Sequence, residues 1–148
     1  MSRRTDSPSK RTPEILADLL AGHADAARSG HDAARRYLEN AIQHNRSMPN
    51  AVKFFVYDLL CVACAGLELA ERRDEAIALA ARYLPDAQEE TLRQFTEYLP
   101  TIALYEQGIR AASADDRLED ALGFCEAAIA LGLGKVYERK AESLRRRL

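Results

Sequence analysis

Three stretches of this 148-residue chain resemble one another, and their spacing restricts the fold more than any other feature. Residues 30–42, 72–84 and 117–129 match when Ala34, Ala76 and Ala121 are aligned, which sets them 42 and 45 residues apart. One helical hairpin cannot bury its own apolar face. A recurrence on this scale therefore predicts paired helices stacked pair on pair into an array. The last member is the clearest, because Leu118, Ala121, Leu122, Cys125, Ala128 and Ile129 fall on one helical face. Asp115, Asp116, Glu119 and Asp120 gather where that helix starts and its dipole favours acids. Gly132 follows its end as a left-handed cap.

The remaining residues read the same way. Ala and Leu dominate the apolar set, Gly (7) and Pro (5) are few, and no segment sustains the alternation of a half-buried strand. The expectation is an all-α fold of antiparallel helix pairs, with seven or eight helices near 13–28, 31–45, 49–70, 73–84, 87–99, 100–113, 117–131 and 134–147. Ser29-Gly30, Ser47-Met48-Pro49, Pro85-Asp86, Ala114-Asp115-Asp116 and Gly132-Leu133-Gly134 signal breaks, and Pro100 either splits or kinks one long helix. Residues 1–12, rich in Ser, Arg and Pro, predict a disordered basic tail ahead of one helical domain over 13–148, which ends in a capping helix. The most apolar run, Phe54 to Leu67, is too short to cross a bilayer. It reads as a helix buried under its own chain or under a second copy.

The small-large-small pattern Ala34, Leu38, Ala41 and its counterpart Ala121, Cys125, Ala128 resembles the second helix of the tetratricopeptide family. Ala76, Ala80, Tyr83 inverts the sizes. The family's first helix has apolar or small residues at i, i+3, i+4 and i+7. Leu60, Ala63, Cys64, Leu67 and Tyr105, Gly108, Ile109, Ala112 fit that pattern, whereas Asp18 and Asp25 in the first unit depart from it. Residues 125–133 followed by a basic helix look like the last repeat and cap of many bacterial members. The resemblance implies a right-handed helical array that binds a protein or peptide on its concave face, a non-catalytic scaffold or adaptor. It implies no cofactor.

In that register Asp58 faces the inner side, an anomaly in the most apolar helix because burying a lone carboxylate is costly. Glu106 and Arg110 fall on the same face of the next unit and His23 on that of the first. These four are the candidate partner-binding residues. The alternatives for Asp58 are a core ion pair or a solvent-facing edge.

Cys61-Val62-Ala63-Cys64 has the spacing of a metal or thiol–disulfide motif, with Cys125 as a further ligand. It stands inside an apolar helix without a strand, so helix packing is the competing reading. His23, His31 and His44 lack the i, i+4 partners of a metal helix. Gly132-Leu133-Gly134-Lys135 lacks the upstream Gly and the hydroxyl of a phosphate loop. No nucleophile elbow or dinucleotide fingerprint occurs, so the chain does not read as an enzyme, and a metal or thiol protein built on Cys61, Cys64 and Cys125 stands as an alternative to the scaffold.

The net charge of −2 conceals an asymmetry. Residues 1–12 hold four basic groups against one acid and residues 135–148 six against two, which leaves −9 on the stretch between. Basic ends are the basis of a second reading, nucleic-acid association, against which the acidic body works. An odd number of cysteines with no secretory signal ahead of them points to a cytoplasmic protein.

Overall fold

A computed structural model describes residues 11–148, and all regular structure among them is helical. Eight α-helices follow in order: α1 (Thr12–Ala27), α2 (His31–His44), α3 (Asn50–Gly66), α4 (Ala70–Glu90), α5 (Leu92–Tyr98), α6 (Leu104–Ala114), α7 (Leu118–Ala130) and α8 (Lys135–Arg147), with one 3-10 turn at Leu99–Thr101. Residues 1–10 of the expected tail lie outside the described residues. Arg11 is extended and caps α1, so helix begins within the segment read as tail.

Helices α1 to α4 each pack on the next in sequence, as do α6 and α7, while α6 meets α3 and α4 rather than α5. The α3–α4 pair is the most extensive contact. Ala51, Val52, Phe54, Phe55, Val56, Leu60, Cys61, Ala63 and Cys64 of α3 are all buried, more than one face of the helix. A helix apolar on more than one side belongs at the centre of a core, and α1, α2, α4 and α6 cover this one. The chain thus covers its own apolar run. A smaller core joins α6, α7 and α8 through Ile109, Ala112, Ala121, Cys125, Ala141 and Leu144. The face predicted from periodicity in α7 is the one that is buried.

The break expected at Pro85-Asp86 is absent. α4 runs through it, because Ala76, Ala80, Leu84 and Ala87 keep one buried stripe in register across the proline. Proline removes the donor that would have bonded the Ala81 carbonyl. Ala81 and Pro85 both lie on the exposed side, so the lost bond falls away from the buried stripe. The chain turns instead at Thr91, whose buried hydroxyl donates to the Ala87 carbonyl at 2.7 Å. α5 then brings Phe95 and Tyr98 onto Phe54 and Phe55, with ring centroids 5.0–6.2 Å apart. Pro100 opens no helix. It sits in the 3-10 turn, and extended Ile102 separates this from α6.

Three helix ends share one closure. Leu69 N–H donates to the Cys64 carbonyl, Arg117 N–H to Ala112 and Leu133 N–H to Ala128, at 2.8–3.1 Å. The left-handed residue that permits this is Gly132 after α7, as the sequence predicts, but Glu68 after α3 and Asp116 after α6.

Candidate binding groove

The four residues singled out by sequence occupy three unrelated places. Asp58 is wholly enclosed, with 0% of its surface exposed. Tyr98 Oη donates to its Oδ2 at 2.5 Å, Ala103 N–H to both oxygens at 3.0 and 3.2 Å, and Leu104 N–H to Oδ1 at 2.8 Å. α6 starts without a capping side chain of its own, since Ala103 stands at the cap position. Asp58 therefore supplies, from the middle of α3, the acceptor that a Ser, Asp or Asn usually gives locally. Burial pushes the carboxyl above the usual carboxylate range, against the pull of the Tyr98, Ala103 and Leu104 donors.

The expectation that Asp58 lines a ligand-facing surface is corrected by this geometry, because its acceptor capacity is spent on the chain itself. The sequence contains a clue to the real role. Ile102-Ala103-Leu104 opens a helix with no residue able to cap it.

Glu106 and Arg110 lie together on the exposed side of α6, 3.8 Å apart as an i, i+4 ion pair. His23 lines a small cavity of about 240 Å³ with His31, Ala34, Leu59, Val62 and Ala63, and burial lowers its pKa. None of the other three candidates reaches that cavity.

Cys61, Cys64 and Cys125 are reduced and buried. Cys61 Sγ donates to the Asp58 carbonyl at 3.0 Å, and burial raises all three thiol pKa values. Among the described residues no three metal-ligating side chains converge. On α8, Arg145 pairs with Glu126 and Arg146 with Glu142, so part of the basic end is internally neutralised.

The surface with the shape of a site lies elsewhere, between α4 and α7 over α6. Two adjoining cavities of about 450 and 560 Å³ share Ala81, Arg117 and Phe124. Phe124 is half-buried and its ring rests on Gly108 of the floor, where an added Cβ would fall 2.6 Å from Cε1 and Cζ. Only a residue without a side chain lets the ring lie there. Ala78 and Ala81 on one wall and Gly123 and Ala127 on the other are small and exposed. Asp74, Asp115, Glu119 and Asp120 rim the groove. The one basic lining residue, Arg117, is held by Asp120 at 2.9 Å and Asp115 at 3.5 Å.

A second groove, between α2 and α4, is bridged by an ion pair where the first is not. Arg72, Glu75 and Leu79 line it at the same offsets from Ala76 that Arg117, Asp120 and Phe124 have from Ala121. On the facing wall Glu39, Ile42 and Gln43 stand at the offsets from Ala34 that Ala81, Leu84 and Pro85 have from Ala76. Arg72 forms an ion pair with Glu39, tying α4 to α2. In the α4–α7 groove Ala81 occupies the position of Glu39, and Arg117 turns to acids beside it in sequence.

Sequence reasoning missed this groove because it sought a ligand face on the first helix of each pair. Two of its three walls are second helices, α4 and α7, and the acids at the start of α7 had been read only as dipole partners. No protein-family model, curated protein or solved structure matches the chain.

Proposed function

We propose that this protein is a non-catalytic scaffold or adaptor with a tetratricopeptide-like array of helix pairs, which holds a segment of a partner protein. The observation that carries the reading is the groove around Phe124. It is concave, apolar at its floor and rimmed by charge, which is the composition of surfaces that seat a ligand in a fixed orientation. Half-buried aromatic rings in such settings commonly anchor binding. The partner-binding role expected of Asp58 passes to this groove. Glu106 and Arg110 remain an ion pair on the other side of α6's buried stripe, apart from the groove lining.

The test is a displayed library of 16-residue peptides selected on the intact protein. Selected peptides are expected to lose binding to a Phe124→Asp variant and to keep it with an Arg93→Ala variant, whose side chain is exposed on α5. Peptides indifferent to Phe124→Asp overturn the reading.

A further inference from the structure

We infer that the segment held between α4 and α7 is a cationic amphipathic α-helix. The inference rests on the binding reading above and narrows it to one class of partner.

The first argument is backbone satisfaction. An extended peptide brings unpaired N–H and C=O groups that need partners once water is excluded. The walls are helices whose backbone groups are paired within each helix, apart from the Ala81 carbonyl opposite Pro85 and the first N–H groups of α7, and no Ser, Thr, Asn or Gln lines the groove. A ligand helix carries its backbone bonds with it and needs only side-chain complementarity. The exposed small residues Ala78, Ala81, Gly123 and Ala127 allow its axis to come close. The α4 wall from Asp74 to Pro85 is about 16 Å long at ~1.5 Å per residue, enough for three turns of helix.

The second argument is charge. Four carboxylates rim the groove against one guanidinium, and that guanidinium is already engaged by two of them. Asp74 leans on Arg73 at 2.9 Å, outside the lining. With Arg73 and Arg117 set against the four carboxylates, the groove and its rim keep an excess of two acids, and Phe124 is apolar at its centre. Lys or Arg along the flanks of a ligand helix and Leu or Ala along its buried side complement this pattern. The smaller α2–α4 groove, of about 350 Å³, is crossed by the Glu39–Arg72 pair.

Three synthetic 18-residue peptides titrated into the full chain by calorimetry test the inference: a Lys/Leu/Ala amphipathic helix, the same apolar face with Glu in place of Lys, and the Lys peptide carrying two interior prolines. The Lys helix is expected to bind, weakening about tenfold with Glu119→Lys. It should not bind Gly123→Gln, whose side chain grows into open space from an exposed position and leaves the core untouched. Equal or tighter binding of the Glu peptide overturns the charge assignment. Equal binding of the proline peptide overturns the helix while leaving the groove as a peptide site. Binding that ignores Gly123→Gln, or no binding by any peptide, overturns both this inference and the reading beneath it. Self-association of the free protein that Gly123→Gln abolishes assigns the groove to a second copy and overturns the cationic partner.

Discussion

Tyr98 Oη lies 2.5 Å from Oδ2 of Asp58, across forty residues of sequence, and this bond joins α5 to the interior of α3. The same carboxylate takes the first N–H groups of α6, so a single side chain fixes how three helices meet. Removing one partner of a buried charged network costs more than a neutral hydrogen bond, because the remaining groups stay desolvated. Asp58→Ala should destabilise the fold by about 3 kcal/mol or more and Tyr98→Phe by about 1–2 kcal/mol. Urea unfolding measures both. A ligand role for Asp58 would instead appear as lost peptide affinity at near-parental stability.

How much of this the sequence could tell depended on how local the cause was. The α7 face from Leu118 to Ile129 and the Gly132 cap follow from residues within one helix, and both were legible. Pro85 misled because its effect depends on which side of α4 faces water, and the chain beyond it decides that. Asp58 was conspicuous as a carboxylate among apolar residues. Its role depended on an uncapped helix 45 residues away, which no periodicity reveals. The groove was least legible of all, since α4, α6 and α7 each contribute small residues that look unremarkable until brought together.

His23 sets a pH dependence whose sign follows from burial. Its folded-state pKa is lowered, so the unfolded chain takes up a proton at a higher pH than the folded one. The stabilising contribution is fully present above the ordinary histidine value of about 6.5 and is lost as pH falls below it, toward the folded value. Thermal melts at pH 8 and pH 5.5 should differ less in His23→Gln than in the parent. An equal difference would assign the acid sensitivity to other groups.

Glu68 holds φ at +58° to close α3, a conformation that L side chains with a Cβ adopt at a cost of about 1 kcal/mol. Glycine has no such penalty there. Glu68→Gly should stabilise the protein by about 1 kcal/mol, a rise of roughly 2–4 °C in Tm at this size. Differential scanning calorimetry decides, and a fall in Tm would mean that the Glu68 side chain does more than permit the turn.

The Cys61-x-x-Cys64 pair should behave as packing rather than chemistry. Both thiols and Cys125 are buried, and burial holds them protonated, whereas the thiolate is the reactive form. A disulfide reagent added to the native protein should titrate none of them quickly, and all three after denaturation. Fast reaction of even one in the native state would reinstate a thiol role.

Gly108→Ala separates the groove from the fold, because its two effects on stability oppose each other. Alanine is favoured over glycine inside a helix by about 1 kcal/mol. The new methyl, however, would sit 2.6 Å from the Phe124 ring, which must swing outward at a cost of about 1–3 kcal/mol. Net stability should therefore stay within about 1–2 kcal/mol of the parent, while affinity for the Lys/Leu/Ala helix falls because the ring leaves the groove floor. In a Phe124→Leu background the clash is relieved, so Gly108→Ala should become neutral or stabilising. The double-mutant cycle by urea unfolding isolates that coupling. Additive effects would mean that Gly108 and Phe124 do not act as one unit and that the ring is not what shapes the groove.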